Sequence, residues 1–285
     1  MLRADRIPPT LLVLFAVASV QFGGAFAKTL FDEVGPGGTV FLRVLFATVV
    51  LAALWRPALG GRSGADWRLL VAFGVVLAGM NLAFYEALKR IPLGIAVTFE
   101  FVGPLGVAVA GSRRALDFAW VALAAAGILL LSDFGGADLD GLGVALALLA
   151  GCLWAAYILL AARVGRAYPG GQGLALAMGA GALMLAPVGL ADGGGDLLAP
   201  GVLAVGLAVA ILSSAMPYTL EMEALRRMPP GVFGVLMSLE PAMAALAGFI
   251  VLDEGLAGRE LVAIVLVVAA SAGAAHGANV PPRDA

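Results

Sequence analysis

The sequence holds one cysteine, Cys152, and one histidine, His276, in 285 residues. A single cysteine excludes an internal disulfide and any cysteine-based metal site. A single histidine, at the end of the last apolar run, leaves no material for a histidine-based dyad. Charge is scarce as well: 13% of residues are Asp, Glu, Lys or Arg, against about a quarter in soluble domains. No basic run exceeds two residues, as at Arg113-Arg114, so nothing offers a nucleic-acid footprint. There is no Ser/His/Asp set, no metal-ligand spacing and no nucleotide motif. The glycine clusters Gly35-Pro36-Gly37-Gly38, Gly60-Gly61-Arg62-Ser63-Gly64, Gly135-Gly136 and Asp192-Gly193-Gly194-Gly195-Asp196 lack a P-loop lysine and follow no strand. They read as turns. No group of polar residues gathers near one face, as a membrane enzyme requires, so the sequence reads as a non-enzyme with no metal and no cofactor.

What is abundant is apolar length. Hydrophobic residues make up 62% of the chain, which places it among polytopic membrane proteins. Ten stretches approach the length a bilayer demands: 9–27, 37–55, 68–88, 91–111, 116–132, 141–162, 172–191, 200–222, 230–252 and 260–277. Arg3 and Arg6 ahead of the first run, with Ala25-Phe26-Ala27 at its end, resemble a cleavable signal, but the repeat described next needs this run as a helix. Alternate connectors carry Arg3, Arg6, Arg56, Arg62, Arg68, Arg113, Arg114, Arg163, Arg166, Arg226, Arg227 and Arg283, twelve in all. The other connectors carry only Lys28, Lys89, Arg90 and Arg259, and are acidic at Asp133, Asp138, Asp140, Asp192 and Asp196. The positive-inside rule then puts both termini in the cytoplasm.

The segment EALKRIPLG (86–94) aligns without gaps onto EALRRMPPG (223–231), an offset of 137 residues (223 − 86), and Gly103-Pro104 then falls on Glu240-Pro241. Each half holds five spans, and an odd number turns the second half upside down in the membrane. The expected fold is therefore all-α: ten transmembrane helices as two inverted five-helix repeats, at 9–132 and 141–277, with a cytoplasmic tail at 278–285. Inverted repeats are a common build of secondary transporters, with the site near the midplane between the halves.

Four ionisable side chains interrupt the spans: Arg43, Glu100, Glu221 and Glu240. Glu100 lies about eight residues, or ~12 Å of helix, from Pro92, near the middle of a hydrocarbon core ~30 Å thick. A charge there costs about 2.5–3.5 kcal/mol on insertion scales, so it should face protein or a cavity. Arg43 and Glu221 are close enough to span ends for snorkelling to remain open; for Glu100 and Glu240 the bland alternative is a structural acid satisfied by Arg43 or backbone. The functional reading is that a carboxyl group removed from water binds a proton or a substrate ammonium, while Arg43 offers a fork for a substrate carboxylate. Pro104, Pro217 and Pro241 break their helices, together with Gly103, and free the carbonyls of Glu100, Ser213 and Met237. Gln21, Asn81, Tyr85 and Tyr218 are uncharged candidates for the same pathway, beside Ser213, Ser214 and Ser238; each alone is more often an interhelical hydrogen bond. Gly143, Ala147, Gly151 and Ala155 form a small-residue stripe for close helix packing. Trp55, Trp67 and Trp120 read as interfacial anchors, with Trp154 the exception.

The strings PLGIAVTFEFVGPL (92–105), AILSSAMPYTLEM (210–222) and LMSLEPA (236–242), with Gln21, Gly23-Gly24 and Arg43, resemble the threonine and homoserine exporters. These are part of the EamA branch of the drug/metabolite transporter superfamily, and the likeness covers all ten spans. It implies a multi-pass exporter of the bacterial inner membrane, driven by proton entry, whose partners are small amino acids, protons and the bilayer. Glu100, Glu221 and Glu240 match its acids, whereas Glu86 departs from it; the repeat mate Glu223 marks Glu86 as structural. An exporter of hydrophobic amines or drugs, and an enzyme or scaffold retaining the fold, are the competing readings. Monomer and homodimer both stay open.

Overall fold

The computed structural model describes residues 7–91, 93–131, 140–243 and 258–278. Pro92, Asp133, Asp138, residues 244–252 of the ninth expected span, Arg3, Arg6, Arg283 and residues 279–285 of the tail lie outside them, as do the side chains of Ala25, Phe26 and Lys28. Among the described residues every regular element is a helix.

The chain opens with α1 (Pro9–Trp55), whose Gly35 takes φ 66° and ψ 170° and kinks the helix. Only glycine enters that region without strain, and Pro36 carries the right φ to restart a helix. The expected connector between spans one and two is therefore a single-residue break inside one helix, with arms 9–34 and 36–55. Gly37 N–H donates to Asp192 Oδ2 at 3.0 Å, and Thr39 Oγ1 to the Gly35 carbonyl at 2.8 Å, so two groups freed at the break are satisfied. Helix α2 (Gly64–Leu88) starts with a reciprocal capping box between Ser63 and Asp66.

Helices α3 (Leu93–Glu100) and α4 (Val102–Gly111) form one interrupted rod, and α5 (Ala115–Leu131) follows. Asp140 caps α6 (Gly141–Ala167) through the Leu142 N–H, and α7 (Gln172–Gly193) runs into a 3₁₀ turn at Gly194–Leu198. Helix α8 (Pro200–Ala210) widens into a π turn at Ile211–Ala215 before α9 (Met216–Leu225). Then come α10 (Pro230–Met237), a short helical stretch at 239–243, and α11 (Gly258–Ala278).

Among the described residues, five helical stretches are long and apolar enough to cross a membrane: Thr29–Trp55, Gly64–Leu88, Gly141–Ala167, Gln172–Leu198 and Pro200–Leu225. Shorter apolar helices lie at Pro9–Gln21, Ile95–Gly111, Ala115–Leu130 and Leu261–His276. Phe15, Leu54, Leu183 and Val265 are exposed on the outer surface, as hydrocarbon contact requires.

Helix α1 packs against α7, α8, the π turn and α9; α2 lies against α6 and α7, α4 against α10, and α5 against α11. In lipid such contacts rest on close fit rather than on water exclusion. A Cβ on Gly103 would overlap the Gly151 carbonyl, and one on Gly151 would crowd the Glu100 carbonyl, so α4 and α6 meet backbone to backbone. The small-residue stripe of α6 thus receives the α2–α4 hairpin: Gly143 faces Arg90 and Ile91, and Ala147 packs with Ala87, Ile91 and Ile95. Trp154 is the buried exception, edge-on to Phe101 with ring centroids 5.0 Å apart.

Candidate functional site

The helix breaks set the site's geometry. Helix α3 stops at Glu100 and α4 resumes after Phe101; α10 stops at Met237 and helix resumes after Ser238. Phe101 and Ser238 each lie three residues before a proline, Pro104 and Pro241. A proline removes the N–H that would bond the carbonyl four residues back, so the helix loosens within that turn. Gly103 takes no part in the break; it serves the close approach to α6. The Glu100 carbonyl, expected to be an acceptor in the pathway, instead abuts Gly151. Pro217 acts as expected: the chain opens into the π turn just before it, and the freed Ser213 carbonyl accepts from Arg43 Nη2 at 2.5 Å.

Arg43 is the hub, and at 7% exposure it does not snorkel. Its Nε donates to Ser214 Oγ at 2.6 Å, Nη1 to the Tyr85 hydroxyl at 3.1 Å, and Nη2 to the Tyr218 hydroxyl at 3.1 Å as well as to Ser213. The guanidinium carbon also lies 5.8 Å from the Tyr218 ring centroid. Asn81 Nδ2 donates to the Leu77 carbonyl at 2.8 Å and to the Tyr218 hydroxyl at 3.2 Å. Asn81 and Tyr85 are four residues apart on α2, one above the other on one helix face, which is why both reach the same cation.

Every hydrogen-bond partner of this guanidinium among the described residues is neutral, and no carboxylate lies within ion-pair distance of it. Glu221, also buried at 3% exposure, does not snorkel either; its Oε2 accepts from the Tyr157 hydroxyl at 2.9 Å. Tyr157 lies 5.3 Å from Tyr218 and 5.6 Å from Phe73, ring centroid to centroid. Glu100 and Glu240 differ from Glu221. Both are half-buried, and no hydrogen bond or ion pair reaches either carboxylate among the described residues. Glu240 is nonetheless within electrostatic range of Arg43, Glu100 and Glu221. Gln21 Nε2 reaches the Glu240 backbone carbonyl at 3.3 Å. The structure therefore brings all eight residues singled out from the sequence into one neighbourhood.

One member, Tyr157, was not singled out, and Ser214 was named only as one of several serines. Tyr157 sits inside an apolar span with a hydroxyl that must find a partner, which was its only sequence signal. Ser214 appeared among several equivalent serines, and its choice by Arg43 depends on the π turn. Ser213 Oγ is buried and has no partner among the described residues; it lies beside Gly23, where a Cβ would overlap it. A cavity of about 800 Å³ lies elsewhere, between α4, α5, α6, α10 and α11; it is lined by Arg113, Arg114, Trp120 and Pro229 and by none of the eight residues.

Chemically, the site combines one fixed cation with neutral partners, one satisfied acid and two unsatisfied acids. With all three carboxyl groups ionised the cluster carries an excess of negative charge, which protons or an ammonium group would neutralise. Among the described residues no set of His, Cys, Asp and Glu could hold a metal ion.

The model of the EamA-like transporter family matches residues 8–132 and again 141–275. The threonine/homoserine exporter RhtA of Escherichia coli strain K12 is 43% identical over 276 residues, covering 93% of this chain and 90% of its own. The protein of that name from Salmonella typhimurium strain LT2 is 42% identical with the same coverage. A crystal structure 21% identical in sequence superposes with a TM-score of 0.77 over 95% of this chain and 97% of its own, a likeness of fold. This chain belongs to the EamA-like transporter family.

Proposed function

We propose that this protein exports small amino acids of the threonine and homoserine kind across the bacterial inner membrane, driven by proton entry. The observation that carries the reading is the pairing of a buried guanidinium held by neutral groups with two half-buried carboxyl groups that have no partner among the described residues. A zwitterion presents a carboxylate for the first and an ammonium for the second. Protons compete with the ammonium for Glu100 and Glu240, so loading from one side of the membrane would expel substrate on the other. Relatives more than 40% identical over 93% of the chain bear the exporter name, which supports this substrate class over hydrophobic amines.

The architecture we propose is ten membrane-crossing rods in two inverted repeats, 9–132 and 141–277, with both termini cytoplasmic. Breaks at Phe101 and Ser238 keep the 137-residue offset (238 − 101). The packing obeys the same exchange: α2 on α6 is answered by α8 and α9 on α1, and α5 with α11 answers itself. The 8–132 and 141–275 family matches agree with these limits. Transport would rock one repeat against the other around the Arg43 cluster.

A growth challenge tests the function. Cells overproducing the protein should resist inhibitory threonine or homoserine, and cells overproducing Arg43→Met should not. Equal sensitivity of both strains, with both proteins present in the membrane, would rule out export of these amino acids.

A further inference from the structure

The two copies of the repeated turn lie at opposite ends of α6. After α2, Arg90 lies 3.7 Å from Asp140, the N-cap of α6. After α9, Arg226 donates to the carbonyls of Gly165 and Tyr168, at the other end of that helix. Twenty-seven residues separate the ends of α6, roughly 40 Å at 1.5 Å per residue. One motif thus closes both ends of the bundle, and it does so unequally.

At the α9 end, Arg226 uses its whole fork. Nε bonds the Gly165 carbonyl at 2.5 Å, Nη2 the carbonyls of Tyr168 at 2.9 Å and Gly170 at 2.5 Å, and Nη1 Glu223 Oε2 at 2.5 Å. Glu223 is shared with Arg227 at 3.1 Å, and Arg227 Nη1 donates to the Ile7 carbonyl at 2.9 Å. The α6–α7 loop is also tied to the start of α2: the Tyr168 hydroxyl donates to Asp66 Oδ1 at 3.1 Å, and Arg62 lies 5.0 Å from the Tyr168 ring centroid.

At the other end, Lys89 occupies the position of Arg226 in the repeat. Among the described residues its ammonium bonds only Glu86, at 2.8 Å, and its side chain is 40% exposed. Arg90 bonds the Glu86 carboxylate and its carbonyl. Among the described residues, Glu86, Lys89 and Arg90 therefore tie their own turn together and make one polar tie to the neighbouring helix, the long Arg90–Asp140 pair. An arginine presents five donors in a rigid fork, whereas a lysine is a point charge on a flexible stem; the Arg/Lys difference between the copies matches the difference in engagement.

We infer that Arg226 is a gating residue of the transport cycle: by bonding the carbonyls at the C-terminal end of α6 it holds the α9–α10 turn closed, and its release opens that end of the pathway. This inference rests on the transport reading and its orientation, under which the locked end is cytoplasmic. Because Gly165, Tyr168 and Gly170 belong to the same repeat as Arg226, the motion it restrains is that of the α9–α10 turn against α6 inside the second repeat, beside the rocking of the repeats. The Lys89 end, with one long tie to a neighbouring helix among the described residues, is the end free to open first. For an exporter that reloads with protons from outside, that asymmetry favours the conformer in which the acids can be protonated.

The test uses the full chain in liposomes with Cys152→Ala, and spin labels on Arg166→Cys (exposed, on α6) and Val232→Cys (partly buried, on α10). Wild type should give one narrow distance distribution. Arg226→Lys, which installs the residue of the other copy, should add a longer population, displaced on the order of 5 Å, the rise of one helical turn. Glu223→Gln should add less of it, because the carbonyl bonds remain, and Lys89→Arg should add none. An unchanged distribution in both Arg226→Lys and Arg226→Gln overturns the lock. An equal effect of Lys89→Arg overturns it too, by showing a general loosening. Threonine efflux from the same liposomes judges the transport reading separately: a wild-type chain without flux defeats that reading, while the distances still decide whether Arg226 holds the turn.

Discussion

Glu221 and the pair Glu100 and Glu240 are acids in one neighbourhood, yet their surroundings are opposite. Glu221 belongs to a saturated floor: Tyr157 bonds it, the Tyr218 ring lies tilted against Tyr157, and the Tyr218 hydroxyl joins Asn81 to Arg43. Glu100 and Glu240 are half-buried at the two helix breaks, without side-chain partners among the described residues. Buried polar networks that are fully satisfied are rigid, and removing one member strands the others. A carboxylate with no protein partner has a different use: it can exchange protons or ligands without dismantling the fold. Burial alone does not separate structural acids from working ones; the partner list does.

Several substitutions sharpen or break that contrast. The largest effect should come from Arg43→Met, which strands the Tyr85 and Ser214 hydroxyls and the Ser213 carbonyl and leaves the Tyr218 hydroxyl with Asn81 alone. At about 1–3 kcal/mol for each buried group left unpaired, the loss should exceed about 2 kcal/mol in a denaturation series in detergent, and efflux should vanish. Glu221→Leu should cost about 1–3 kcal/mol by leaving the Tyr157 hydroxyl without an acceptor; Glu221→Gln keeps an acceptor and should melt close to wild type. A Glu221→Leu variant as stable as wild type would remove Glu221 from the floor. Gly151→Ala drives a methyl group against the Glu100 carbonyl and should cost about 1–3 kcal/mol through overpacking, with a matching loss of transport because Glu100 is displaced. Tyr157→Phe deletes one hydrogen bond and keeps the ring stack, so about 1 kcal/mol is expected, together with partial efflux.

The sequence reveals the acids and Arg43 for an energetic reason: charge inside an apolar run is too costly to be incidental. Pro104 and Pro241 mark the breaks because a missing N–H acts locally, within the same turn. What could not be read depends on partners distant in sequence. Gly103 looks like part of the break but serves Gly151 across the α4–α6 contact. Tyr157 gives no sign of facing Glu221, since a lone tyrosine in a span has many ways to satisfy its hydroxyl. At Gly35-Pro36 the composition announces a turn, but not that the helix would resume at once through a positive φ at one residue. The unequal locks at Arg226 and Lys89 are visible only after the repeat is laid on the structure, because the two motifs are nearly identical in sequence.

The central claim is that Glu100 and Glu240 are free acids working beside a fixed Arg43. Its most direct measurement is threonine transport in proteoliposomes with and without an imposed pH gradient, comparing wild type with Glu100→Gln and Glu240→Gln. Removing a carboxylate that has no protein partner should leave stability within about 0.5 kcal/mol of wild type. The account predicts gradient-driven transport in wild type and its loss in at least one variant that remains folded. Gradient-driven transport at wild-type rates in both variants would contradict it and return these acids to a structural role.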